Sequence, residues 1–157
     1  MHAPNLLDEL LVLNKMAEKE VLISKINSSL WWHVSPRDPE AYNKRGKFFA
    51  SSYAQAEFYG RPNDKPEKVK IQNPIYGFSE LEILKKLFDP KVATLLSLKD
   101  DIVGDDPKWY EKRIALDRKM FLAAKKKGCD AIVLLIPNGK KELSKNRKPS
   151  SIELNLL

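Results

Sequence analysis

The sequence is poor in several things, and each shortage removes a class of protein. Among its 157 residues there is one cysteine, Cys129. A single thiol forms no internal disulfide and supplies no cysteine-based zinc site, and it fits a reducing cytoplasm. Its place between Gly128 and an apolar run predicts a buried, inert thiol. Glycine is scarce, with six residues. None of them builds a glycine-rich phosphate loop, which argues against a Rossmann mode of nucleotide binding. No apolar run approaches the roughly 20 residues needed to span a bilayer. The N-terminus also lacks the basic-then-apolar order of a signal peptide. Leu6, Leu7, Leu10, Leu11 and Leu13 sit among Asp8, Glu9 and Asn14, the pattern of an amphipathic helix. There is no internal repeat and no low-complexity segment.

What remains is ordinary for a soluble globular chain: 43% hydrophobic and 31% charged residues. The length fits a single domain over 1–157 with one sizeable core. The net charge of +7 allows a polyanionic partner, though solubility alone also accounts for it.

Periodicity predicts helix over residues 5–27, in an N-terminal segment 1–29, and then a short apolar strand from Leu30 to Val34. A loop with a helical turn near Pro39–Tyr42 leads to a second strand, Lys47–Ala50. Ser51 or Ser52 is the expected N-cap of a helix that passes Ala56 and Tyr59 and stops at Gly60. Alternation predicts a half-buried strand over Glu67–Gln72, ended by Asn73-Pro74. A mostly helical insertion follows, 75–128. It holds a capping-box helix from Ser79 to Leu87, a second helix from Asp89-Pro90 through Leu98, and a long helix. That last helix opens at Gly104–Pro107, runs to Lys127 and has Gly128 at C′. Asp130–Ile136 reads as a continuous apolar strand, Pro137–Ser151 as a lysine-rich loop, and Ile152–Leu157 as a last strand. The last two strands should pair in the middle of a small sheet, giving an α+β fold.

Three pieces carry candidate chemistry. They are Leu30-Trp31-Trp32-His33-Val34-Ser35, Gly46-Lys47-Phe48-Phe49-Ala50-Ser51 running on to Tyr59-Gly60, and Ser151-Ile152-Glu153-Leu154-Asn155-Leu156. Taken singly, each has a plain structural reading. His33 would be a core or edge histidine, Phe48-Phe49 core packing, and Glu153 a solvent-facing residue in an alternating strand. A buried Glu153 without a partner would instead cost free energy.

Together, their order and context resemble the ADP-ribosyltransferase fold of the diphtheria-toxin and poly(ADP-ribose) polymerase type, with its His…Tyr…Glu set, in the form of small bacterial or phage members. His33-Val34-Ser35 resembles the first motif, with Val34 in place of Gly. Gly46–Ser51 resembles the second, with Phe48 where Tyr is usual. Ala56 falls where the following helix usually has Ser, and Tyr59 falls on the second aromatic. Ile152-Glu153-Leu154 resembles the late strand that carries the catalytic carboxylate. Val69–Pro74 and Lys127–Val133 resemble flanking strands, so the likeness spans 30–157.

The resemblance implies a small split mixed β-sheet core with an N-terminal helix and a helical insertion. It implies a transferase of the glycosyltransferase class, which cleaves the nicotinamide glycosidic bond of NAD and passes one ADP-ribose unit to a macromolecular target, protein or nucleic acid. NAD is then substrate, with no metal. Glu153 would stabilise the oxocarbenium-like state. His33 would donate to a ribose hydroxyl on the adenosine side. The Val34 backbone would hold the carboxamide beside Ser35, and Phe48, Phe49 and Tyr59 would supply aromatic surface, Phe48 and Tyr59 sandwiching the nicotinamide ring. Lys140, Lys141, Lys145, Arg147 and Lys148, in the loop that leads into the Glu153 strand, would dock the target; otherwise they are a solvated surface. A cytoplasmic protein, whether toxin, phage effector or housekeeping enzyme, fits this reading. Two alternatives stay open: an NAD glycohydrolase using the same site, and a non-catalytic basic module that binds nucleic acid or protein on the same fold.

Overall fold

The structure, a computed structural model, describes residues 5–97, 107–135 and 138–157. In chain order the elements are α1 (Leu6–Asn27), β1 (Leu30–His33), α2 (Ala41–Arg45), β2 (Lys47–Ala50), α3 (Tyr53–Glu57), β3 (Glu67–Lys68), β4 (Pro74–Gly77), α4 (Glu80–Leu87), α5 (Pro90–Leu96), α6 (Pro107–Lys126), β5 (Ala131–Leu135), α7 (Gly139–Ser144) and β6 (Ile152–Leu156). The fold is α+β. Its six strands form one mixed sheet in the order β3-β1-β2-β6-β5-β4, with β4 and β5 parallel and the other neighbours antiparallel. β1 is shared along its length: Leu30 and Trp31 pair with β3, whereas Trp32 and His33 pair with β2.

Capping chemistry sets the helix starts. Asn5 accepts from the Asp8 amide at 2.8 Å, and Ser52 from the Gln55 amide at 3.1 Å. Ser79 accepts from Glu82 N–H at 3.1 Å, and the Glu82 carboxylate reaches back to the Phe78 amide at 2.8 Å, one residue before the cap. Asp89 caps α5 with Pro90 in its first turn. Gly128, at φ +81°, takes the left-handed conformation after α6 that the sequence led us to expect.

Three elements differ from the sequence reading. The alternation over Glu67–Gln72 is real in burial, since Val69 and Ile71 are buried, but only Glu67–Lys68 pairs as strand. Side chains take the later backbone groups instead. Asn27 exchanges two hydrogen bonds with Ile71, and Asp130 accepts from the amides of Gln72 and Asn73 at 2.7 and 3.0 Å. Asn73-Pro74 opens a strand rather than ending one. Pro74 is the first residue of β4 at the sheet edge, where a missing N–H costs no ladder bond. The lysine-rich loop contains α7, anchored by buried Leu143. The expected helix end at Leu98, helix start at Gly104–Asp106, strand end at Ile136 and loop start at Pro137 lie outside the described residues.

Two cores sandwich the sheet. On one face Leu22 and Ile26 of α1 pack against Trp31, Phe49, Val133, Ile152 and Leu154. On the other, Ile83, Leu84, Leu116, Met120 and Ala124 of α4 and α6 pack against Ile75 and Ile132. The first half of α1 reaches past the first core, and its leucines are exposed. Cys129 is half-buried beside the second core, and burial pushes its thiol pKa up. Among the described residues, no helix is long and apolar enough to cross a membrane.

Candidate functional site

Cross-strand register decides which side chains meet. Trp32 sits opposite Ala50, and Ala50 opposite Glu153; Phe48 sits opposite Asn155, and Glu153 opposite Leu134. Paired residues share a face, so all of these turn toward α4 and α6. There they border a cavity of about 400 Å³. Ala56 and Tyr59 close one side, Glu80 and Ile83 of α4 another, and Trp109, Tyr110, Arg113, Ile114, Asp117 and Met120 of α6 form the roof.

Glu153 is half-buried, and its Oε1 accepts a hydrogen bond from the Tyr59 hydroxyl at 3.0 Å. Tyr59 is 67% exposed as a residue, but its hydroxyl reaches Glu153. Removal of that hydroxyl from water and the adjacent Glu153 charge push its pKa up to about 12. The Tyr59 hydroxyl is therefore a neutral donor to Glu153 at neutral pH.

A second polar group hangs from the roof. Arg113 donates to Asp117 at 2.6 Å and meets Glu80 at 2.8 Å. Burial alone would weaken the guanidinium charge, but Asp117 and Glu80 outweigh it and hold Arg113 more firmly protonated. Burial raises the Asp117 carboxyl above its ordinary range, opposed by Arg113. This triad was missed from sequence. Trp109, Arg113 and Asp117 recur at i, i+4 and i+8 within the long helix, and that stripe of mixed aromatic and charged residues was the available signal.

Of the residues singled out in the sequence, Glu153, Phe48, Phe49, Tyr59 and Val34 border this cavity. His33 and Ser35 are not among the residues that border it. Strand alternation turns His33 to the α1 face, where it is 4% exposed. Its Nδ1 lies 2.6 Å from the Phe48 carbonyl oxygen and its Nε2 2.8 Å from the Tyr42 hydroxyl. Both ring nitrogens are engaged within the protein, and burial lowers the imidazole pKa. Ser35 is exposed and donates to Asn63. The expected docking residues Lys140, Lys141, Lys145, Arg147 and Lys148 do not border the cavity either. Lys140 lines a separate groove beside α1, and Lys148 is drawn over the buried Trp31 ring, 5.1 Å from its centroid. Folding of α7 onto the α1 side carries Lys140 and Lys141 away from Glu153. Among the described residues, no group of three or more His, Cys, Asp or Glu side chains is arranged to hold a metal ion.

No family model matches the chain, and neither a curated protein nor a solved structure matches it.

Proposed function

We propose that the chain is a mono-ADP-ribosyltransferase that uses NAD as its substrate, with Glu153 as the catalytic carboxylate. One observation carries the reading: Glu153, the carboxylate named by the sequence motif, borders an aromatic-walled cavity and is oriented there by the Tyr59 hydroxyl at 3.0 Å.

The chemistry asked of the site is modest. Nicotinamide leaves as a neutral ring, taking the electron pair of the C1′–N bond, so its departure needs no general acid. The ribose becomes oxocarbenium-like, as in glycoside hydrolysis. Glu153 accepts a hydrogen bond from the ribose 2′-hydroxyl and places negative charge beside the developing cation. Phe48 and Tyr59 offer ring surface to the nicotinamide. The nucleophile of the acceptor then attacks C1′ and loses its proton. Ala56 offers no hydroxyl, so the carboxamide depends on backbone groups near Val34. His33 has no part in this scheme and serves as a strut between β1, β2 and α2.

Hydrolysis by the same site is the second reading, with water as acceptor. It is favoured by the position of the five basic side chains, none of which borders the cavity.

The test is mass spectrometry of cell extract incubated with the protein and isotopically labelled NAD. A transferase leaves labelled ADP-ribose on a macromolecule. A hydrolase leaves free ADP-ribose, and NAD that stays intact in both extract and buffer refutes the enzymatic reading.

A further inference from the structure

Two guanidiniums, Arg45 and Arg113, and three carboxylates, Glu80, Asp117 and Glu153, border the cavity. They are not equivalent. Arg113 is hydrogen-bonded to both Asp117 and Glu80, so these three neutralise one another except for one negative charge shared at the roof. Arg45 is different. Its guanidinium makes no hydrogen bond or ion pair among the described residues, and its influence is felt only as a field that helps keep Asp117 ionised.

The backbone beneath Arg45 is firmly held. Its carbonyl accepts from the Asn155 side-chain amide at 2.8 Å. The next residue, Gly46, has φ +87°, and a Cβ there would stand 2.2 Å from Asn155 Oδ1 and 2.6 Å from the Leu156 carbonyl oxygen. Only glycine fits this corner. Asn155 is 6% exposed, and its Oδ1 is the one buried side-chain polar atom without a hydrogen bond among the described residues. An unsatisfied buried acceptor is costly, yet the other end of this amide locks Arg45 to β6, the strand that carries Glu153. Glu153 and Asn155 are two residues apart on one face, so one strand carries the carboxylate and holds the backbone from which the Arg45 side chain extends.

We propose that Arg45 is the anion anchor of the cavity and binds the diphosphate of a dinucleotide, with Asn155 as its positioning residue. This deepens the NAD reading and rests on it for the identity of the other end of the ligand. Arg45, without a hydrogen bond or ion pair among the described residues, and Glu153, held by the Tyr59 hydroxyl, border one cavity and complement a substrate that is cationic at its pyridinium and anionic at its diphosphate. Arg113, already held by two carboxylates, stays a structural cation.

The experiment is calorimetric titration of three probes, NAD, ADP and nicotinamide riboside, into the wild type, Arg45→Gln and Asn155→Leu. Thermal melts run alongside establish that each variant is folded. Arg45→Gln should weaken NAD and ADP by about tenfold or more, the scale of a lost charge-assisted bond, and leave the riboside within about twofold. Asn155→Leu should lose the same phosphate-bearing probes selectively, which mere destabilisation would not do. If NAD and the riboside fail to bind but ADP binds and depends on Arg45, the anchor stands and the nicotinamide reading falls. If NAD binds equally well to wild type and Arg45→Gln, or if ADP does not bind the wild type, the anchor is refuted while the proposed reaction is untouched.

Discussion

Along β1, Trp31 and His33 turn to the α1 side of the sheet, while Trp32, and Val34 just past the strand, turn to the side roofed by α4 and α6. Along β6, Ile152 and Leu154 join the first side, and Glu153 and Asn155 the second. On the α1 face buried apolar side chains pack over β1, β2 and β6, and His33 has both ring nitrogens bonded to protein. The opposite face is left hollow over β2 and β6, and the ionisable groups gather around the hollow. Alternate positions of one strand therefore have opposite surroundings: His33 of β1 lies in the packed face beside cavity-facing Trp32, and Glu153 of β6 borders the cavity between core residues Ile152 and Leu154.

The largest effect should come from breaking the packed face. Trp31 is fully buried and donates its indole N–H to the Ile26 carbonyl at 3.0 Å. Trp31→Ala should cost about 3–5 kcal/mol in urea denaturation, in the range for emptying a large core site. Phe48→Ala, on the cavity face, should cost only about 1 kcal/mol, because Phe48 is 43% exposed, but it should weaken NAD binding. Equal losses of stability would erase the distinction between the faces.

The histidine gives a test with a sign. Burial holds the folded-state pKa of His33 below its ordinary value of 6.5. The unfolded chain thus binds the proton more readily, so the contribution of His33 to stability is complete above that value and declines as pH falls through and below it. The melting temperature of the wild type should drop on acidification from pH 7.5 to 5.5, and His33→Asn should show a flatter dependence. NAD affinity at pH 7.5 should be nearly the same in both proteins. A His33 variant that folds well but loses NAD would move the histidine back to the site.

The smallest effect is at Tyr59. Tyr59→Phe keeps the ring and removes the hydrogen bond to Glu153. It should change stability by about 1 kcal/mol or less, and initial rates by less than about tenfold, since the carboxylate itself remains. With its pKa near 12, the hydroxyl stays protonated through the working range, so wild-type rates should show no alkaline loss from this group below about pH 10. A sharp loss of rate at pH 8–9 that disappears in Tyr59→Phe would contradict this.

Much of the fold was legible because its signals are local. Ser52, Ser79 and Asp89 cap where their side chains can reach the next turn, and Gly128 closes α6 as its position suggested. The Glu153 strand and its neighbours were also legible from their apolar runs. What escaped depends on contacts distant in sequence. Gln72 and Asn73 leave the expected strand because Asp130 accepts from their amides, and Pro74 begins one because β4 happens to be an edge. The site was partly legible for the same reason. Motif order led to Glu153, Phe48 and Tyr59. It also led to His33, and only the pairing of Trp32 with Ala50, and of Ala50 with Glu153, shows that Trp32 rather than His33 shares the carboxylate's face. Arg45 carries no motif, and Arg113 and Asp117 show in the sequence only as part of a mixed stripe on the long helix; α2 and α6 bring all three to the cavity.

The central claim is that Glu153, on the hollow face, carries the chemical step. Turnover of NAD by wild type and Glu153→Gln, measured at saturating NAD with binding and melting temperature followed alongside, tests it most directly. Gln fills the same space and still accepts the Tyr59 hydrogen bond, so the variant should fold and bind NAD as the wild type does. Its turnover should fall by roughly 100-fold or more, the scale seen when a transition-state charge stabiliser is removed. Near wild-type turnover in a folded, NAD-binding Glu153→Gln protein would contradict the account.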